Sequence, residues 1–101
     1  MHMGKVIGMA VATRKDEKLV GSKLLITQPV QLDGSLTGQP IIAVDTVGAG
    51  IGEQVIYVIG SVAARAVQRA DAPVDAAIVG IIDNTECETG GRDAANGNAT
   101  D

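Results

Sequence analysis

The chain has 101 residues, which is enough for one compact domain and too few for two. Its net charge of −4 at pH 7 argues against binding to nucleic-acid phosphates, and no apolar run approaches the roughly 20 residues of a membrane-spanning helix. Hydrophobic residues make up 46% of the chain and aromatic residues only 1%, so the apolar content is aliphatic; 12 Val and 10 Ile favour a mostly β domain.

Five short strands and one helix are predicted in chain order. Alternating and β-branched patterns place the strands at residues 4–13, 23–30, 39–47, 54–60 and 76–83. The turn signals Asp33-Gly34 and Thr37-Gly38 predict a hairpin-like excursion between the second and third strands. Ser61 is predicted to cap a helix over 61–69.

The two ends of the chain differ from this pattern. Met1-His2-Met3 is interpreted as a cloning remnant followed by the native start, so the barrel domain is expected to cover residues 4–88. Residues 89–101 have no large apolar side chain, so we expect a loose polar tail. The single cysteine, Cys87, cannot form an intramolecular disulfide, which is typical of a reducing cytosol.

The aliphatic surplus bears on assembly. A small domain cannot hide this much apolar surface on its own, and an oligomer therefore explains the composition more economically than an aliphatic-rich monomer. A closed barrel would also remove the sticky edges that an aliphatic sheet exposes.

The residues provide little for catalysis or for cofactor binding. The only histidine is His2, so a Ser-His or Cys-His pair is not available, and Glu86-Cys87-Glu88 cannot converge on one metal ion because adjacent strand residues point to opposite faces. Gly48-x-Gly50-x-Gly52 resembles a phosphate-binding loop, but a β-branched run follows it instead of a helix. We therefore expect no enzyme, no cofactor and no metal.

Two other classes of function stay open at this point. A small barrel is also compatible with an OB-fold module that binds a small molecule or nucleic acid, although Tyr57 is the only aromatic residue that could stack on a base. Scattered carboxylates could in principle form an acid–base pair, and an enzyme of unknown chemistry is the third class.

Three motifs, in order, are similar to one family. The run D-T-V-G-A-G-I-G-E over 45–53, the helix motif G-S-V-A-A-R over 60–65 and the strand P-V-D-A-A-I-V-G-I-I-D over 73–83 resemble the signatures of EutN/CcmL microcompartment vertex proteins. The resemblance implies a small five-stranded OB-like β-barrel with one short helix, which assembles into a closed ring. It implies a homopentamer that caps the vertices of a bacterial microcompartment shell beside hexameric shell proteins, in the cytoplasm.

The same resemblance suggests residues for the subunit contact. Ser61 and Arg65 match the helix motif, and Arg65 is expected to pair with a carboxylate of a neighbouring subunit, such as Asp45 or Glu53; the alternatives are a plain helix cap and a surface arginine. Gly48 and Gly50 are candidates for close subunit approach or for lining near the fivefold axis, with an ordinary glycine turn as the alternative.

Overall fold

Five strands form most of the domain. The computed structural model describes residues 1–13, 15–67 and 73–83. The strands are β1 (His2–Ala10), β2 (Leu24–Pro29), β3 (Ile41–Asp45), β4 (Gln54–Ile59) and β5 (Ala76–Ile82). One α-helix, α1 (Ser61–Ala66), connects β4 to β5, and a single turn of 3-10 helix, Glu17–Leu19, lies between β1 and β2. The prediction of a mostly β, five-stranded barrel with one short helix is therefore confirmed. β1 begins at His2, inside the segment interpreted as a cloning remnant.

The strands close into a barrel in the order β1-β2-β3-β5-β4. All pairs are antiparallel except β3 with β5, which are parallel and share only the pairs Val44 with Ala77 and Asp45 with Ile78. In a closed ring of five strands the direction cannot alternate at every step, so at least one neighbouring pair must be parallel. This short contact closes the barrel.

Two bulges shape the sheet. On β1, Ile7 is an extra residue between the pairs Val6 with Thr27 and Gly8 with Ile26. On β5, Val79 is an extra residue opposite the step from Ile56 to Tyr57. Each bulge bends its strand and increases the local twist, which small closed barrels require.

The apolar side chains divide into two clusters. The barrel interior is packed by buried residues of all five strands together with one loop residue: Val6, Leu25, Ala43, Ala49, Val55, Tyr57, Ala76 and Ile78. A second, outer cluster lies under α1 and consists of Val44, Val58, Ala63, Val74 and Ala77. Full burial of an aliphatic side chain contributes about 1.5–3 kcal/mol, so the interior cluster supplies the larger share of the apolar stabilisation.

The helix begins differently from the prediction. Gly60, with a φ of 83°, is the N-cap of α1, and no side chain caps the helix. Ser61 is therefore the first helical residue and not the cap, because the backbone turns sharply at Gly60, in a conformation that serine rarely adopts. The predicted extension of the helix to residue 69 and the predicted tail at 89–101 lie outside the described residues.

The excursion between β2 and β3 is a hairpin, as predicted. Val30 pairs with Leu36, and the Gln31 amide donates to the Ser35 carbonyl at 2.8 Å. At its tip, the Ser35 hydroxyl and amide donate to Asp33 Oδ1 at 2.6 and 2.9 Å, and the hydroxyl bond in particular lowers the pKa of Asp33. The Gln28 amide donates to three carbonyl groups around the hairpin base, which holds the excursion to the barrel.

Candidate subunit-contact site

The first motif forms the loop between β3 and β4, residues 45–53, and Asp45 organises it. Asp45 Oδ1 accepts hydrogen bonds from the amides of Val47, Gly48 and Ala49 at 3.0, 3.1 and 3.2 Å, and Oδ2 lies 3.0 Å from the Ala49 nitrogen. A carboxylate directly before a turn commonly satisfies the next few amides in this way. The Asp45 side chain therefore acts within its own loop.

Lys23 completes the environment of this carboxylate. Its Nζ lies 3.5 Å from Asp45 Oδ2 and donates to the Ala49 carbonyl at 2.8 Å. The Asp45 side chain is only 4% exposed, whereas that of Lys23 is 40% exposed. The oxygens of Asp45 thus have partners within the chain and are shielded from solvent, and the pairing of Asp45 with an arginine of a neighbouring subunit stays a prediction.

The glycines of this loop have two different roles. Gly48 and Gly52 have φ values of 81° and 94°, and an added Cβ at either position would meet nothing within 4 Å. Backbone conformation, and not space inside the subunit, thus requires glycine at these two positions. Gly50 has no positive φ, and its exposed amide donates to Glu53 Oε1 at 2.7 Å.

The loop is also anchored to the barrel. Ala49 is fully buried within the interior cluster, so the loop closes one end of the barrel. The Gly52 amide donates to the Val6 carbonyl at 2.7 Å, and the Val6 amide donates to the Glu53 carbonyl at 3.0 Å. Gly48, Gly50 and Glu53 consequently stand on a rigid, exposed turn.

The helix motif lies elsewhere on the surface. Ser61 and Arg65 are both exposed on α1, whose buried side consists of Ala63 and Ala64. Within the described residues, the Arg65 guanidinium makes no hydrogen bond or ion pair. The structure therefore unites Asp45, Gly48, Gly50 and Glu53 in one loop and leaves Ser61 and Arg65 as a separate, accessible group.

The sequence patterns did not indicate the structural roles of three residues, which are Lys23, Ala49 and Gly4. Lys23 stands just before β2, next to the two leucines that begin this strand, but its partner is 22 positions away. Ala49 appears as a loop residue in the sequence and is nevertheless part of the interior. An added Cβ at Gly4 would lie 2.6 Å from Thr27 Cγ2, so the close packing of β1 on β2 requires glycine there.

The described residues contain no group of three or more His, Cys, Asp or Glu side chains that could hold a metal ion. Over the same part of the chain, no helix is long and apolar enough to cross a membrane.

A closed five-stranded barrel with a carboxylate-organised loop and one external helix defines a small β-barrel domain. The chain belongs to the EutN/CcmL family, because the family model described as "Ethanolamine utilisation protein EutN/carboxysome" matches residues 1–83. The resemblance found in the three motifs is thereby confirmed.

Curated relatives and solved structures agree with this assignment. The chain is 41% identical over 91 residues to the microcompartment shell vertex protein PduN of Salmonella typhimurium, covering 86% of this chain and all of the relative. It is 46% identical to the shell vertex protein GrpN of Rhodospirillum rubrum, and the match covers 85% of this chain and 97% of the relative. A solved structure of GrpN, described as a pentameric microcompartment shell protein, superposes with a TM-score of 0.77 at 44% identity. The superposition covers 86% of this chain and 100% of the GrpN chain. A solved structure of an ethanolamine utilization protein, EutN, superposes with a TM-score of 0.83 at 36% identity, and the superposition covers 86% of this chain and 91% of the EutN chain.

Proposed function

We propose that this chain is a structural subunit that closes into a ring of five and occupies the vertices of a bacterial microcompartment shell. The observation that carries the proposal is the identity of 41–46% across nearly the whole length of relatives named shell vertex proteins, one of which is solved as a pentamer. A flat layer of hexagonal units can close only where pentagonal units sit, so the ring would adjoin hexameric shell proteins, inside the cytoplasm.

The chemistry of the described residues supports a structural role. The motif carboxylate Asp45 holds its own loop, and the described part of the chain has no group of three or more His, Cys, Asp or Glu side chains that could hold a metal ion. The proposed function therefore needs neither a catalytic residue nor a cofactor.

The alternative, an OB-fold binding module, has less physical support. Base stacking on such modules needs exposed aromatic rings. Tyr57 is the only aromatic residue of the chain apart from His2, and it is 5% exposed because it packs inside the barrel. Burial also raises its pKa, as expected for a phenol directed away from water.

The residue-level part of the proposal concerns the exposed motif groups. Glu53 and Arg65 remain candidates for an ion pair between neighbouring subunits, with Ser61 beside Arg65 at the contact. Gly48 and Gly50 are proposed to approach a neighbouring subunit or to line the region near the fivefold axis, since their turn is exposed and rigid.

Size-exclusion chromatography with light scattering tests the assembly. A pentamer of a 10.3 kDa chain is expected. A monomer that persists at micromolar concentration would contradict the proposed function.

Substitutions at the contact test the proposed pair. Arg65→Ala should shift the ring towards monomer and leave the far-UV circular dichroism unchanged, because removal of one partner of a buried ion pair costs about 3–5 kcal/mol. Arg65→Lys keeps the charge but loses the two-pronged geometry, so it should have a smaller effect. A ring that is unaffected by Arg65→Ala would show that Arg65 is an ordinary surface arginine.

A further inference from the structure

Several strand side chains are apolar and yet belong to neither cluster of the fold. Met3, Ile7, Ile26, Ile42, Ile56 and Ile82 appear neither in the interior cluster nor under α1. Ile7 is 48% exposed and Ile42 is 56% exposed, and the other four are half-buried. Ile26 lies between the buried Leu25 and Thr27, and Ile56 between the buried Val55 and Tyr57, so both side chains point outward.

The strand register gathers these residues into two separate faces. The first, here called the β2 face, consists of Ile7 and the paired row of Gly8, Ile26 and Ile42 on β1, β2 and β3. The second, the β4 face, consists of the paired row of Met3, Ile56 and Gly80 on β1, β4 and β5, together with Ile82.

The two faces extend in opposite directions around the barrel from β1, because β2 and β4 are the two neighbours of β1. A polar row separates them, in which Lys5 pairs with Gln28 on one side and with Gln54 on the other. Neither face contains a charged residue. These rows therefore form two distinct apolar surfaces on the barrel, with a polar row between them.

Each face contains a glycine next to a β-bulge, and the surface is recessed there because the glycine has no side chain. A Cβ at Gly8 would lie 3.4 Å from Ile26 Cδ1, and a Cβ at Gly80 would lie 3.7 Å from Ile56 Cδ1. Both distances are ordinary contacts, and neither glycine has a positive φ, so the fold of the subunit does not require glycine at Gly80. A side chain added at Gly80 would protrude from the β4 face and obstruct a partner that packs on this face.

We propose that the β2 face of one subunit packs against the β4 face of the next and that this pairing is the main contact of the ring. A ring contact is heterologous, so each subunit must present two different surfaces that fit each other. The two uncharged faces on either side of β1 meet this requirement, and the occupant of each is a second copy of this chain. The inference rests on the proposed function and adds the surfaces through which the ring closes.

Two substitutions test the faces one at a time. Ile42→Lys places a charge on the β2 face, and Gly80→Lys places one on the β4 face; a charge that loses its water without gaining a partner opposes association. Each variant should be a folded monomer in sedimentation equilibrium. Leu32→Lys is the matched control, because Leu32 is 74% exposed on the hairpin and belongs to neither face, and it should remain a ring.

Mixing the two variants provides the decisive measurement. Each retains one intact face, and these intact faces complement each other, so an equimolar mixture should form a dimer and nothing larger. If either variant keeps the wild-type ring, if the mixture of folded variants stays monomeric, or if Leu32→Lys dissociates the ring equally, the assignment of the faces is overturned. The wild-type mass tests the proposed function separately, since a ring of five that tolerates both variants would refute only the faces.

Milder substitutions keep the test valid if a lysine variant does not fold. Ile42→Thr and Ile82→Thr preserve a β-branched side chain on the strand and remove apolar contact area. Each should raise the concentration at which the ring half-dissociates by about tenfold. A midpoint unchanged in both would overturn the proposal.

Discussion

The interactions of Asp45 lead to a quantitative prediction about the stability of the subunit. Asp45→Ala removes the acceptor for the amides of Val47, Gly48 and Ala49 and leaves Lys23 without its carboxylate. Hydrogen bonds to a charged group contribute about 1.5–3 kcal/mol each, but the exposed amides of Val47 and Gly48 can bind water once the acceptor is gone. The half-exposed Lys23 can bind water as well, so the loss should come mainly from the buried Ala49 amide and should be about 1.5–3 kcal/mol of unfolding free energy.

Such a loss is a large part of the total stability of a small domain, which is about 5–15 kcal/mol. Since 1 kcal/mol shifts the melting temperature of a domain of this size by about 4–8 °C, Asp45→Ala should lower it by at least about 6 °C. Asp45→Asn keeps one acceptor oxygen and should lose about half as much. The assay is thermal and urea unfolding at a fixed protein concentration, because ring assembly makes the midpoint depend on concentration.

Asp75→Ala is the matched control for this experiment. Asp75 is exposed and its side chain has no partner among the described residues, so its removal should change the stability by less than about 0.5 kcal/mol. Two results would refute the argument. One is an Asp45→Ala variant within about 1 kcal/mol of the wild type; the other is a variant whose ring dissociates while the subunit stays fully stable, as expected for a contact with a neighbour.

Three further predictions follow from individual contacts. Gly4→Ala should cost about 1–3 kcal/mol in urea unfolding, because the new Cβ would lie 2.6 Å from Thr27 Cγ2 in a closely packed part of the barrel; a neutral result would contradict this packing. Gly52→Ala should cost about 1–2 kcal/mol in the same assay because of its φ of 94°; a neutral result would contradict the backbone argument. Tyr57 should titrate above pH 10.0 in ultraviolet absorbance, because burial raises the pKa of its phenol. The neutral phenol therefore favours the folded state below the unfolded pKa, and this stabilisation is lost as the pH rises through the folded pKa. A titration at the ordinary pKa of tyrosine would refute the burial.

Local sequence patterns were sufficient for the element types. β-Branched residues favour strands through their own side-chain geometry, and glycine turns interrupt them, so all five strands and the hairpin could be predicted from neighbouring residues. The loop of the first motif is a further local case. Asp45 precedes the amides that it satisfies by two to four positions, so its hydrogen bonds to the loop could be expected from sequence.

The helix start shows where even a local interpretation fails. Ser61 is a common N-cap residue, but the chain leaves β4 through Gly60 with a φ of 83°, and the helix begins at Ser61, one residue earlier than a serine cap would place it. The backbone direction after β4, and not the capping preference of serine, thus determined which residue is the N-cap.

The remaining features depend on pairings between distant parts of the chain. Lys23 meets Asp45 only because β2 and β3 are neighbours, and Ala49 is buried only because its loop folds over the end of the barrel. The bulges at Ile7 and Val79 set which apolar side chains point outward, and a register shift of one residue would turn them inward. The amino-acid sequence alone thus determined that the chain forms short aliphatic strands around a glycine-rich loop. Only the tertiary structure decided which carboxylate is shielded and which apolar rows are exposed, because strand register is a property of two segments and not of either one.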